Sequence, residues 1–210
     1  MQDINNWKHI KSHIIDPQRG REIVLIRHGS TSMNTNGDRI RGWKDVPLSP
    51  QGVKEVEATG KAMKDKGIKL DGIITSDLSR TVRTAEIISK ALGVPILAKT
   101  IGLRPWNLGV YTGQESKKVH GELRQYVDDG NKVVPEGESF NTFKHRFLGT
   151  VMDILDKYKD KKIAIVTHHR GDRLMNAWLK AGGSRNENVD DKVFTEMGIP
   201  PGGYEILTIK

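Results

Sequence analysis

The sequence predicts an α/β fold: a three-layer sandwich with a mostly parallel central sheet and helices on both faces. Three observations predict it. Short apolar runs alternate with stretches of helical periodicity, the order expected of strands joined by crossover helices. The apolar runs are continuous, as in IVLI (23–26) and IAIV (163–166), which suits strands covered on both sides. Several runs stop on charged or polar residues, as strands do at the ligand-binding rim of an open parallel sheet.

Each element has its own signal. Residues 22–27 read as the first strand. Ser49-Pro50 is a helix start with proline in the first turn, and Val53, Val56, Gly60 and Met63 follow at helical spacing up to a stop at Gly67. DGIITS (71–76) is a second strand. Leu78, Val82, Ala85, Ile88 and Leu92 mark a second amphipathic helix, closed by Gly93 and Pro95. A short strand is expected at 96–98. Residues 101–137, rich in Gly and Pro, read as long loops with one short helix near 115–129. A long helix runs from about Ser139 to Tyr158, with Phe140, Phe143, Phe147, Val151 and Ile154 on its apolar face. KKIAIVTHHR (161–170) contains the next strand, Leu174, Met175, Trp178 and Leu179 lie on a further helix, and YEILTI (204–209) is the last strand. The organisation expected is an N-terminal extension over 1–20, forming a docked helix through Trp7, Ile10, Ile14 and Ile15, followed by one domain over 21–210.

Composition narrows the function classes. The chain has 210 residues, enough for one well-filled core, and it has no cysteine, so disulfides and thiolate metal sites are excluded. No apolar run reaches the roughly 18 residues of a membrane span, and the first 20 residues lack the apolar centre of a secretory leader. A cytoplasmic protein that engages no membrane is expected. The formal net charge is +8, but the lysines are scattered among acids, as in KEVEATGKAMKDKGIK and DKYKDKK. That pattern reads as a solvated surface and not as a nucleic-acid footprint, which would cluster base and aromatic residues.

The chemistry concentrates at three strand ends. The first delivers Arg27-His28-Gly29, the second Ser76-Asp77 with Arg80 one turn into the next helix, and the third Thr167, His168, His169 and Arg170. In a parallel sheet these groups come to one rim, where guanidinium and imidazole groups form an anion site and helix N-termini add their N–H groups. Singly, each has a plainer reading: a strand-end arginine is often a surface cation, and Arg80 can pair with Asp77 at i,i+3. Three coinciding strand ends favour the site.

The chain resembles the histidine phosphatase superfamily, the phosphoglycerate mutase-like group. The resemblance rests on LIRHGSTSMN (25–34), RIRGWKDVPLSPQG (39–52), TSDLSRTVRTAEII (75–88), PEGES (135–139) and IVTHH (165–169), in the family's order. It implies a phosphoglycerate mutase-like fold and a phosphatase mechanism without metal or cofactor. His28 is then the nucleophile that becomes a phosphohistidine. Arg27 and Arg80 grip the phosphoryl oxygens, and His168 stabilises charge in the transition state. Asn34, Arg39 and Ser76 are expected to bind phosphate, with Arg39 and Arg41 in the loop that usually carries an arginine and a glutamine. The expected partner is a small phosphorylated substrate or a phosphoprotein.

The chain departs from that pattern in two places. Family members carry a proton-donating glutamate in L-x-E-x-x-x-G-x-x-x-G; here LRPWNLGVYTG (103–113) places Pro105 there. Either a substitute acid serves, from Asp38, Asp77, Glu138 and Asp172 with Glu138 and Asp38 first, or the substrate carries a leaving group that departs unaided, such as phosphohistidine, an acyl or aryl phosphate or pyrophosphate, or phosphate is bound without turnover. Glu138 has a plainer role at the N-terminus of the following helix. His169 and Arg170 stand where the family often has glycine, and are expected to bind further negative charge. A phosphoglycerate mutase or a phosphate-binding module without turnover are the alternative readings.

Overall fold

β1 (Arg21–Arg27) shows why the chain layers as it does. Its side chains alternate between two apolar clusters: Ile23 and Leu25 pack with Phe143, Phe147 and Trp178, while Val24 and Ile26 pack with Val56, Met63 and Ile88. A strand apolar on both faces needs cover on both, and the rest of the chain supplies it. The structure is a computed structural model, and it describes residues 21–35, 37–183, 185–195 and 198–209. The N-terminal extension expected over 1–20 lies outside the described residues.

The elements follow in alternation. A single turn, α1 (Ser32–Thr35), precedes α2 (Pro50–Asp65), whose Ser49 cap accepts a hydrogen bond from the Gly52 amide. β2 (Gly72–Ser76) leads into α3 (Ser79–Leu92), which ends on Gly93 in the left-handed region at φ 70°. β3 (Ile96–Thr100) is two residues longer than expected. α4 (Ser116–Asp128) lies within the loop region, and α5 (Phe140–Lys157) starts at Ser139, whose hydroxyl accepts from the Thr142 amide. β4 (Ile163–Thr167), α6 (His169–Lys180), a short α7 (Asp191–Thr195) and β5 (Tyr204–Ile209) complete the described chain.

Among the described residues, the strands form one sheet in the order β3-β2-β4-β1-β5. β1, β2, β3 and β4 run parallel, and β5 pairs antiparallel with β1 at the edge. α2 and α3 supply one apolar cluster; α4, α5 and α6 supply the other. The fold is the expected α/β sandwich. No helix among the described residues is long and apolar enough to cross a membrane.

The 101–115 segment, unassignable from sequence, is held by long-range polar contacts. Arg146 donates to the carbonyls of Gly102, Arg104 and Pro105 at 2.9, 3.1 and 3.2 Å, and pairs with Glu138 at 2.7 Å. Trp43 donates to the Pro105 carbonyl at 2.8 Å, and the guanidinium groups of Arg104 and Arg146 lie 4.9 and 5.3 Å from its ring centroid.

Candidate active site

Register brings the strand ends together. In the β1–β4 ladder Arg27 pairs with Thr167, and the His28 amide donates to the Thr167 carbonyl at 3.1 Å. β4 also pairs with β2, with Val166 opposite Thr75. His28, Ser76 and His168 therefore emerge side by side from three adjacent parallel strands. The rings of His28 and His168 sit 5.2 Å apart between centroids, edge to face at 64°.

The hydrogen bonds of His28 fix its tautomer. Nδ1 lies 2.7 Å from the Gly29 carbonyl, which can only accept, so Nδ1 carries the proton and Nε2 keeps a lone pair. Burial and then the charges of Arg80, Arg41 and Arg27 hold the imidazole pKa well below its usual value. The imidazole is neutral across the physiological range. The loop that carries it is clamped: the Ser30 amide and hydroxyl both donate to Glu55, at 2.8 and 2.9 Å. Gly29 lies so close to α2 that a Cβ there would sit 2.3 Å from the Gly52 carbonyl. The requirement for glycine comes from the α2 backbone.

His168 is tied on both sides of its ring. Arg80 Nε donates to Nδ1 at 3.2 Å, so Nδ1 accepts and Nε2 carries the proton, which it offers to the Ser76 hydroxyl at 3.0 Å. Burial, then Arg80, depresses its pKa well below the usual value. Arg80 in turn donates to the carbonyls of Lys44 and Gly42 at 2.9 and 3.1 Å, fastening the 41–45 loop to the rim. Its pKa is lowered to about 9 by burial, so it remains a cation at neutral pH. The i,i+3 pairing with Asp77 does not occur; Asp77 is taken by Arg104 at 2.6 Å. Ser76 is buried and reaches His168, leaving the cavity wall to its neighbours.

The remaining cations divide into free and committed groups. Arg27, lowered to about 10 by burial, donates to the Ile199 carbonyl at 2.7 Å, and its Nε has no partner among the described residues. Buried Nη1 of Arg41 likewise has none, while Nη2 faces Asp38 at 3.6 Å. Arg39, half exposed, is spent on the Gly113 carbonyl at 2.9 Å and on Glu115 at 3.7 Å. Asn34 closes its own loop, accepting from the Thr31 amide at 2.9 Å and donating to Asp38 at 3.0 Å. His169 is pushed down to about 2 by burial and then by Arg27. The Arg170 guanidinium lies 5.6 Å from the Trp106 ring centroid.

Most of these groups wall an open cleft with about 480 Å³ of empty space, part of it solvent; Arg27, Asn34 and Ser76 lie outside its lining. Its lining includes His28, His168, Arg41, Arg80, His169 and Arg170, with Pro105 and Trp106 on one wall. Arg41, not Arg39, is the arginine of that loop whose charge is felt by His28. Its sequence signal was its place beside Arg39 in the RIRG stretch.

The four candidate acids separate clearly. Glu138 accepts from the Asn107 amide at 2.8 Å and pairs with Arg146, and it is absent from the cleft lining. The expectation that it donates a proton gives way to its role in holding the 101–107 segment. Asp77 is bound to Arg104. Asp172 is fully buried, its pKa is raised well above the usual value by that burial, and it too is absent from the lining. Asp38 alone lines the cleft, half exposed, between Asn34 and Arg41.

Comparison with known proteins agrees with this geometry. Residues 23–208 match the family described as the histidine phosphatase superfamily, branch 1. The chain is 34% identical over 154 residues to "Probable phosphoglycerate mutase GpmB" of Klebsiella pneumoniae, covering 70% of this chain and 69% of that protein. It is 30% identical over 146 residues to "Uncharacterized phosphatase PhoE" of Bacillus subtilis, covering 70% of each. Among solved structures, the α-ribazole phosphatase of Shigella flexneri superposes with a TM-score of 0.71 at 21% identity, covering 89% of each chain. The mycobacterial glucosyl-3-phosphoglycerate phosphatase Rv2419c does so at 0.71 and 21%, covering 90% of this chain and 91% of that one. With a neutral histidine ringed by arginines at the rim of a sheet of this topology, and with a match across nearly all the described residues, the chain belongs to branch 1 of the histidine phosphatase superfamily.

Proposed function

We propose that the protein is a metal-independent phosphatase that works through a phosphohistidine on His28. One observation carries the reading: a neutral imidazole, its Nδ1 proton tied to the Gly29 carbonyl, keeps the Nε2 lone pair in a cleft walled by Arg41 and Arg80. Nε2 attacks phosphorus as the ester P–O bond breaks, and water then cleaves the N–P bond and returns the electron pair to Nε2. Arg27, Arg41 and Arg80 supply the positive charge that magnesium supplies in other phosphoryl transfers. His168 lines the same cleft, and its Nε2–H, which faces the Ser76 hydroxyl, is the donor it can offer a phosphoryl oxygen.

Hydrolysis is favoured over a mutase reaction by the wall at Pro105. A mutase passes protons both ways between enzyme and substrate, and needs an acid–base group beside the transferred phosphoryl. Proline cannot serve, and Glu138 is bound to Arg146. A small phosphorylated molecule or a phosphoprotein loop is the substrate class, in a cytoplasmic setting that the cysteine-free sequence suits.

The test is hydrolysis of p-nitrophenyl phosphate, whose leaving group needs no protonation, by the wild type and His28→Ala. Turnover lost in the variant supports the enzyme. Phosphate binding without turnover of this ester marks a binding module instead.

A further inference from the structure

Two features of the cleft, each odd alone, fit together. The wall that should hold an acid holds Pro105, whose carbonyl is pinned by Trp43 and Arg146. The next residue, Trp106, is fully buried and lies under the guanidinium of Arg170. Arg170 lines the cleft, and among the described residues it has no carboxylate or carbonyl partner. Arg41 adds a buried, unpartnered Nη1 to the same cleft. The acid is missing and guanidinium groups stand in its neighbourhood.

Resting on the phosphatase reading, we propose that the substrate is a phosphoric anhydride, a terminal diphosphate, whose departing phosphate is received by Arg170 and not protonated. An alkoxide is the base of an acid as weak as water, with a pKa of about 16. Phosphate is the base of an acid with a pKa of about 6 and leaves as an anion unaided. A guanidinium is suited to it, with forked donors that match two phosphate oxygens. Stacking on Trp106 holds that fork in place and lowers the entropy cost of engaging it. Asp38, the carboxylate in the lining, accepts from Asn34 and faces Arg41, and so belongs with the cations. In the reaction His28 Nε2 bonds to the terminal phosphorus while the bridging P–O bond breaks, its electron pair leaving on the departing phosphate. Water then attacks the phosphohistidine, the N–P pair returns to Nε2, and the proton of water passes to the phosphate products.

The experiment compares inorganic pyrophosphate, ethyl phosphate and p-nitrophenyl phosphate in metal-free buffer, for the wild type and Arg170→Ala. Wild-type kcat/KM for pyrophosphate is expected to exceed that for ethyl phosphate by at least about 100-fold. In Arg170→Ala the ratio of pyrophosphate to p-nitrophenyl phosphate activity is expected to fall about 100-fold, with partial recovery in Arg170→Lys. Ethyl phosphate turned over as fast as pyrophosphate by the wild type overturns the inference, whether or not the variants fold. So does an unchanged substrate ratio in a folded Arg170→Ala. Turnover of p-nitrophenyl phosphate without preference for pyrophosphate overturns the anhydride alone, while turnover of none of the three overturns the phosphatase reading with it.

Discussion

Arg80 Nε donates to His168 Nδ1 at 3.2 Å, and this bond couples the rim beyond β2 to the end of β4, 88 positions along the chain. It sets the tautomer of His168 and, through the Gly42 and Lys44 carbonyls, the place of the loop that carries Arg41. Arg80→Lys keeps the charge and loses the fork that makes all three contacts. It is predicted to lower kcat/KM on p-nitrophenyl phosphate by about 100-fold or more, the usual cost of a lost oxyanion donor. Steady-state kinetics beside a thermal melt check it, since a well-folded variant with unchanged kinetics would exclude the role.

Arg41→Gln removes one of the charges holding down the pKa of His28. The predicted result is a fall of about 10-fold in kcat/KM, and an acid limb of the pH–rate profile displaced to higher pH. A titration of kcat/KM in both proteins reads the displacement directly.

Much of the site was legible because strand ends and their polar residues are local signals. RHG, SDLSR and THH each sit at a boundary between apolar run and helix, and parallel pairing joins them without further information. The 101–115 segment was illegible for the opposite reason. Its shape depends on Arg146 and Trp43, which reach it from 41 to 62 positions away and leave no periodicity in it. The same long-range contacts explain Glu138: a carboxylate before a helix reads alike whether it faces a ligand or an arginine. Arg39 and Arg41 both line the cleft, and the contacts that separate them, Arg39 on the Gly113 carbonyl and Arg41 with a buried, unpartnered Nη1, are long-range and leave no mark in the local sequence.

Glu138→Gln therefore tests structure, not chemistry. Breaking a nearly buried pair with Arg146 is predicted to cost about 1–3 kcal/mol of stability. The sensitivity of kcat/KM to leaving-group pKa should match the wild type, measured on a series of substituted phenyl phosphates. A steeper dependence in this variant would return Glu138 to the role of proton donor.

Stability should fall steeply in mild acid. The folded pKa values of His28, His168 and His169 lie below the unfolded value, so below about pH 6.5 the unfolded chain binds protons that the folded one refuses. Each therefore contributes a loss of stability as pH drops through the unfolded value. Asp172, raised instead, opposes them, since the folded state holds its proton above the unfolded value near 3.8. Three imidazoles against one carboxyl make the expected net a loss of stability between about pH 6 and pH 5. Urea titrations at the two pH values check it, and added orthophosphate should reduce the loss by favouring charged imidazole in the cleft.

Pro105→Glu puts a carboxylic acid back on the cleft wall. It is predicted to raise ethyl phosphate hydrolysis relative to p-nitrophenyl phosphate by about 10-fold or more, at the low end of what general-acid catalysis gives. A ratio that stays put would mean that protonation of the leaving oxygen does not limit this enzyme.

Covalent chemistry at His28 is open to direct capture. Acid-free quench of the enzyme turning over p-nitrophenyl phosphate, followed by peptide mass analysis, should find a phosphoryl group on the peptide that contains His28. The label should be lost in acid, kept in alkali and absent from His28→Ala. Turnover with the phosphoryl group on another residue, or undiminished turnover in His28→Ala, would contradict it.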